Sequence, residues 1–152
     1  MNSKLITASA LALAVASANV LAAGSSSPST QSRQPSQYDQ AVRAVDAGAY
    51  ARALRMLDSV VKAEPRNADA WNYIGFSQRK LEQYDKALAA YNKALAINPK
   101  HRGAREYLGE LYLMTGDVAK AELQLRKLDG ICTFGCEEYD DLKAAIAKHK
   151  QG

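Results

Sequence analysis

The sequence has few of the residues that build reactive centres. Its 152 residues include only two His and two Cys, which leaves little for general-base catalysis or for a metal site with several ligands. Two Cys also exclude a small domain held together by several disulfides. An excess of charge is lacking too, because 20 Lys and Arg stand against 16 Asp and Glu and are scattered among them. The composition therefore predicts no catalytic site, no cofactor, no metal and no nucleic-acid partner.

Residues 1–22 have the pattern of a secretory signal peptide. Lys4 precedes an apolar run over residues 5–20 that ends in small residues. The small side chains favour cleavage after Ala22 or Ala23. An uncleaved membrane anchor is the alternative, but a bilayer span needs about 20 apolar residues. We therefore expect export to a bacterial periplasm, with the leader cleaved and no stable membrane insertion of the mature chain.

The segment that follows, residues 23–35, is rich in Ser, Pro and Gln and has no large apolar side chain. Such a composition cannot bury enough surface to fold. It predicts a flexible spacer, with a specific binding tail as the alternative.

A period of 34 residues organises the rest of the chain. A shift of 34 superposes residues of matched size and polarity, which are Ala53, Ala87 and Ala121, then Ala41, Gly75 and Gly109, then Leu57, Tyr91 and Leu125, then Pro65 and Pro99. Small residues suit the points where two helices cross closely, large apolar residues fill the layers, and proline ends a helix. The period predicts three helix hairpins at about 34–67, 68–101 and 102–135.

The middle unit resembles a tetratricopeptide repeat (TPR) along almost its whole length. The residues at signature places are Trp71, Gly75, Ala87, Tyr91 and Pro99 in this unit, and Gly109, Tyr112 and Ala121 in the next. The resemblance implies an all-α fold, a right-handed α-solenoid of three TPR helix hairpins over residues 36–135. It also implies a binding role rather than a reaction.

Residues 136–152 predict a capping helix for this solenoid. Acidic residues lead and lysines follow, as the helix dipole favours, and Tyr139, Leu142 and Ile146 share one face. Repeat arrays need such a cap over their exposed last face. The acidic run lacks the loop of a calcium hand, so helix-start electrostatics is the favoured interpretation over a calcium site.

Cys132 and Cys136 are the only cysteines, and they flank the joint before the cap. In an oxidising compartment they predict a structural disulfide, which stabilises by about 2 kcal/mol for a five-residue loop. A redox-active or copper-binding pair is the alternative, since thiolates select Cu(I). The ending CxxxCEEYxxL also resembles the tail of small exported bacterial TPR proteins.

In the TPR family the first helix of each hairpin lines a concave groove that usually holds peptide. By this resemblance the groove wall consists of Tyr38, Val42, Tyr73, Phe76, Arg79, Lys80, Glu106, Tyr107, Glu110 and Met114. The expected site is an aromatic groove edged by Arg79 and Lys80, and the alternative is that the rings only pack against neighbouring helices. His101 is expected to be a solvated loop residue.

The function predicted from these features is an exported TPR scaffold or adaptor that binds a protein or peptide partner in the cell envelope through the groove. A thiol-redox or copper-handling protein that uses Cys132 and Cys136 is the rival, and self-association through exposed repeat faces is a third reading.

Overall fold

The computed structural model describes residues 35–151, so the predicted leader and almost all of the predicted spacer lie outside the described residues. Within that range the secondary structure is entirely helical. Seven helices follow one another as α1 Gln37–Asp46, α2 Tyr50–Ala63, α3 Ala68–Lys80, α4 Tyr84–Ile97, α5 Arg102–Met114, α6 Val118–Asp129 and α7 Glu137–His149.

The helices that open each hairpin begin at residues whose side chains cap them. Ser36 accepts a hydrogen bond from the backbone N–H of Asp39 at 3.0 Å, and Asp39 accepts one in return from the N–H of Ser36 at 2.9 Å. Asn67 caps α3 in the same way, with its Oδ1 2.9 Å from the N–H of Ala70. These bonds satisfy backbone donors that have no partner within a helix. They fix where each hairpin starts.

The turn inside each hairpin uses a left-handed residue, and these residues are also 34 apart. Gly48, Glu82 and Gly116 have φ angles of 71°, 59° and 80°. In the middle turn the N–H of Gln83 donates to the carbonyl of Gln78 at 2.9 Å, which closes the preceding helix. Glycine occupies this conformation without steric cost, whereas Glu82 carries a β-carbon there.

Small residues bring the paired helices into close contact. Ala53, Ala87 and Ala121 are each completely buried. At Gly75 a β-carbon would lie 2.6 Å from the ring carbons Cδ1 and Cε1 of Tyr91, which is itself completely buried. The glycine therefore makes room for the aromatic ring that joins α3 to α4.

The apolar side chains form a series of layers rather than one central core. The first layer lies among α1, α2 and α3, and a second joins Tyr91 of α4 to Leu108 and Leu111 of α5. The last layer contains Leu113 of α5, with α6 and α7. Each helix thus buries its apolar face mainly on its neighbours in the chain, as in other repeat arrays.

Helix α7 closes the stack, as predicted. Leu142 is completely buried and Ile146 is 5% exposed, and both pack on the last layer. A β-carbon at Gly109 would lie 2.6 Å from both terminal methyl carbons of Leu142. Near the other end of α7, Nζ of Lys150 lies 2.6 Å from Oε1 of Glu122. The cap is therefore held both by packing and by an ion pair to α6.

Candidate functional site

Helices α1, α3, α5 and α7 contact one another in sequence and form one surface, here called the groove face. All the residues predicted for the groove wall belong to the first three of these helices. Their exposure differs. Lys80 and Met114 are exposed, Arg79 and Glu106 are buried, and the others are half-buried, namely Tyr38, Val42, Tyr73, Phe76, Tyr107 and Glu110.

Aromatic rings run along the groove face from one helix to the next. The ring centroids of Tyr38 and Tyr73 are 6.1 Å apart, and those of Phe76 and Tyr107 are 5.0 Å apart. Tyr107 also lies 6.5 Å from the buried Tyr91 of α4. The rings pack against neighbouring helices and still keep part of their surface exposed. Packing against neighbouring helices and exposure to a groove, the two alternatives for these rings, are therefore compatible.

Arg79 lies in the last turn of α3, beside a cleft at one end of the groove face. Its guanidinium carbon is 5.4 Å from the ring centroid of Phe76 and 5.5 Å from that of Tyr107. Its Nη2 is 2.6 Å from Oε2 of Glu110, and its side chain is only 8% exposed. Arg79 is thus an internal cation held by two rings and a carboxylate, not the edge residue that the sequence predicted. Lys80 does lie at the edge, 5.3 Å from the centroid of Phe76.

One end of the groove face is a cleft lined by apolar and charged side chains. It has a volume of about 650 Å³ between the last turns of α3, α5 and α7. Leu113, Met114 and Ala145 supply apolar surface, and the rest of the lining is Arg79, Glu110, Lys148 and His149. Met114 is 51% exposed, which is unusual for so large an apolar side chain.

The other end is acidic. A pocket of about 390 Å³ lies between the first turns of α3, α5 and α7. We call it the acidic pocket because its lining includes the carboxylates of Asp69, Glu106, Glu137, Glu138 and Asp141. Tyr38, Tyr73 and Tyr107 complete its wall. Acidic side chains are therefore concentrated at this end of the groove face, which the sequence prediction missed.

Glu106 is the most perturbed carboxyl in this pocket. The residue is 8% exposed. Burial, and then the nearby charges of Glu110, Asp141 and Glu138, raise its pKa to about 8. Burial also raises the pKa of Tyr107 to about 12, so its phenol stays protonated at neutral pH. At neutral pH the carboxyl of Glu106 is therefore largely protonated, and the acidic pocket combines it with four further acidic side chains and with phenols.

His101 is not the solvated loop residue that the sequence predicted. Its Nδ1 accepts a hydrogen bond from the N–H of Ala104 at 3.2 Å, so it caps α5. Its Nε2 lies 3.0 Å from Oδ1 of Asp69, and burial lowers the pKa of the imidazole. The repeat period could have revealed this role, since His101 follows the capping residue Asn67 by 34.

The two cysteines lie at the joint between α6 and α7. Their Sγ atoms are 1.98 Å apart, which is disulfide distance, and their Cα atoms are 5.6 Å apart. Cys132 packs against the last layer and Cys136 is the residue before α7. Phe134, between them, is fully exposed. The pair therefore lies where a bond would join the start of the capping helix to the end of the last hairpin.

The remaining signature residues have structural positions. Trp71 is half-buried and its indole N–H donates to the carbonyl of Pro65 at 3.1 Å. Tyr112 is half-buried beside the last layer. Pro99 is exposed just beyond α4, where its carbonyl accepts a hydrogen bond from Nε of Arg105 at 3.0 Å.

Metal and membrane features are lacking in the described part of the chain. Between residues 35 and 151 no three His, Cys, Asp or Glu side chains are grouped so that they could hold a metal ion. None of the helices in this range has the length and apolarity that a bilayer crossing requires.

One repeat unit of the chain matches a family model, and the fold matches solved structures. The family model of the tetratricopeptide repeat matches residues 68–101. The predicted fold class is confirmed, because solved TPR solenoids superpose on most of this chain. The chaperone SycD of Yersinia enterocolitica, a type III secretion translocator chaperone, aligns with a TM-score of 0.69 and 18% identity, covering 76% of this chain and 81% of that one.

Two further comparisons agree with this class. The TPR2B domain of yeast Sti1 aligns with a TM-score of 0.67 and 17% identity, over 76% of this chain and 97% of that one. In sequence, Tetratricopeptide repeat protein 37 of Xenopus laevis is 43% identical over 63 residues. That match covers 41% of this chain but only 4% of the relative. The chain thus spans a small fraction of that relative, and the structural likenesses establish the fold alone.

Proposed function

We propose that this protein is an exported TPR scaffold or adaptor that binds a peptide segment of a cell-envelope protein along the groove face. The observation that carries the proposal is the cleft beside Met114, where a large apolar side chain is 51% exposed next to the apolar side chains of Leu113 and Ala145. Exposed apolar surface with a polar rim is typical of interaction sites. The proposal includes no nucleic acid and no cofactor.

The solved TPR structures support a peptide-binding role. SycD has been solved in complex with a peptide of the translocator YopD, and the TPR2B domain of Sti1 in an Hsp70 complex. Both have the same fold as this chain. A peptide that lay along the groove face here would contact aromatic side chains at its centre and apolar surface at the Met114 end.

The proposal includes no catalytic step. Among residues 35–151 the two His side chains lie at opposite ends of the groove face. His101 is engaged with the backbone of Ala104 and with Asp69. No nucleophile with a positioned base is formed around either of them within the described residues.

The test is affinity capture from the native envelope with two matched variants. Met114→Glu places a charge in the cleft, and Leu123→Glu places the same charge on α6, where Leu123 is 42% exposed. Burial of a carboxylate against an apolar partner is costly. We therefore expect Met114→Glu to reduce partner affinity at least tenfold and Leu123→Glu to leave it unchanged. Equal binding by both variants, with unchanged circular dichroism, would contradict the groove assignment. Capture of only a second copy of the chain would replace it with self-association.

Export is proposed from the leader pattern and is tested separately. The mass of the protein purified from the periplasmic fraction should correspond to a chain that begins at Ala23 or Gly24. Recovery of the full chain with Met1 from the cytoplasmic fraction would contradict export.

The thiol-redox or copper-handling role is the second candidate, and it rests on the proximity of Cys132 and Cys136. Cys136 is the residue before α7, whose first turn contains Glu137, Glu138 and Asp140. A helix N-terminus favours the thiolate that redox chemistry and Cu(I) binding require, whereas nearby carboxylates disfavour it, so the two influences oppose each other at Cys136. Mass spectrometry after alkylation distinguishes the roles. A pair that stays oxidised in the periplasm supports a structural bond, and a pair that cycles or binds one Cu(I) supports the rival.

A further inference from the structure

We propose that the acidic pocket binds the cationic side chain of a lysine or arginine in the peptide that lies on the groove face. The inference rests on the proposed function and adds to it a chemical preference of the ligand. According to this inference, the two ends of the groove face bind different parts of the peptide. The cleft beside Met114 binds apolar side chains, and the acidic pocket binds a positively charged one.

The acidic pocket has an excess of negatively charged side chains. Its lining contains four carboxylates besides Glu106, whose pKa is raised to about 8, together with His101 and no Lys or Arg. One cation approaches from outside, Arg102, whose Nε lies 3.5 Å from Oε1 of Glu138 and whose side chain is 52% exposed. A concave site with acidic side chains on three helices and a single peripheral cation attracts a positive ligand.

An unpartnered acceptor in the wall of the pocket is an independent sign of a missing ligand. Glu106 is 8% exposed and Asn72 is 5% exposed, and both line the pocket. The Oδ1 atom of Asn72 is buried without a hydrogen-bond partner. Buried polar atoms of native proteins are normally satisfied, so an unsatisfied acceptor in the wall of this pocket points to a missing donor.

The tyrosines identify the missing donor as an organic cation. Tyr38 and Tyr73 meet edge to face, and Tyr107 stands beside Glu106 on α5. Aromatic rings next to carboxylates suit an ammonium or guanidinium group, which gains cation–π attraction as well as hydrogen bonds. A metal ion does not fit, because no group of three potential ligands with suitable geometry occurs in residues 35–151.

The same face already shows this mode of recognition within the chain. Arg79 lies between the rings of Phe76 and Tyr107 at 5.4 and 5.5 Å, with its Nη2 2.6 Å from Glu110. The acidic pocket repeats these components, carboxylates and aromatic rings, one helical turn or more towards the start of α5. There the cation has to come from a ligand.

The test uses nuclear magnetic resonance of the ¹⁵N-labelled mature chain with two small probes. Nα-acetyl-lysine N-methylamide carries the charge, and Nα-acetyl-norleucine N-methylamide has a similar length without it. We expect saturable shifts of the amides of Tyr73, Gly103 and Tyr107 with the lysine probe alone. Equal shifts with both probes, or no shift with the lysine probe up to its solubility limit, would overturn the inference. Shifts of the same amides with CaCl₂ and not with the lysine probe would overturn it in favour of a metal site.

Two charge-matched variants sharpen the result. Asp141→Asn removes a negative charge from the lining of the pocket, and Asp85→Asn removes one in the first turn of α4. We expect Asp141→Asn to weaken binding of the lysine probe at least tenfold and Asp85→Asn to change it less than twofold. Equal weakening by both variants would show that binding depends only on the net charge of the protein, and it would overturn the assignment of the site. Because the Met114→Glu variant tests the opposite end, loss of the pocket effect with an intact Met114 effect would refute this inference and leave the proposed function standing.

Discussion

The contact between Gly109 and Leu142 allows a quantitative test of how the capping helix is attached. A β-carbon at residue 109 would lie 2.6 Å from both terminal methyl carbons of Leu142. Carbon atoms pack best at about 3.5–4.0 Å, so the two groups would have to separate by about 1 Å. Leu142 is completely buried, and protein interiors have few voids into which such a side chain can turn. The methyl group added by Gly109→Ala should therefore disturb the packing of α7 on α5 and lower the free energy of unfolding.

The size of the effect follows from two opposing contributions. Overpacking of a filled core costs about 1–3 kcal/mol, and alanine in place of glycine inside a helix recovers about 1 kcal/mol. The single change Gly109→Ala should thus cost between zero and about 2 kcal/mol. Leu142→Ala should cost about 2–5 kcal/mol, since it removes a fully buried leucine. In the double variant the new methyl group meets no leucine, and the overpacking penalty disappears.

Urea unfolding of the wild type, the two single variants and the double variant, followed by far-UV circular dichroism, measures the coupling. We expect the double variant to be more stable than the sum of the single effects by about 1–3 kcal/mol. If the effects add to within about 0.5 kcal/mol, the two side chains do not share this space and the packing of α7 on α5 is not as described.

Three further predictions concern stability. Glu82→Gly should stabilise the protein by about 1 kcal/mol in urea unfolding, because it relieves a left-handed residue at φ 59°; no gain would mean that the turn is not strained. Replacement of both Cys132 and Cys136 by Ser should lower stability by about 2 kcal/mol under oxidising conditions and leave it unchanged under reducing ones; an equal loss in both conditions would contradict the bond. Because burial raises the folded-state pKa of Glu106 from 4.5 to about 8, the folded chain holds this proton more tightly than the unfolded chain. Its contribution to stability is therefore fully present below about pH 4.5 and is lost as pH rises to about 8, so Glu106→Gln should be more stable than wild type at pH 8 and not at pH 4. A constant difference across this range would contradict the shifted pKa.

Much of the fold could be predicted from the sequence because the same packing and turn requirements recur every 34 residues. Ala53, Ala87 and Ala121 recur at 34 residues because each lies at a helix crossing with no room for a larger side chain. The same spacing relates Gly48, Glu82 and Gly116. A search for glycine at this spacing misses the pattern, because the middle residue is a glutamate. His101 was misjudged for a similar reason, since histidine is an uncommon capping residue and the register alone indicates its role.

The candidate site was predicted less completely than the fold. The sequence assigned the groove residues to the correct helices, yet it placed Arg79 at the edge, where the structure has it buried against Glu110. It also took Glu137 and Glu138 as stabilisers of a helix start and did not associate them with Glu106. That association requires knowing that the first turns of α5 and α7 lie side by side.

The scarcity of His and Cys, the balanced charge and the 34-residue period are properties of the sequence by itself. The period and the TPR resemblance of the middle unit determined the all-α repeat class, because helix hairpins with matched small and large residues bury their faces only on neighbouring copies. The tertiary structure alone decided the concentration of acidic side chains at one end of the groove face. Carboxylates that are up to 72 positions apart in the chain, from Asp69 to Asp141, share one pocket. Their mutual repulsion and burial depend on distances in space, which no local pattern of residues records.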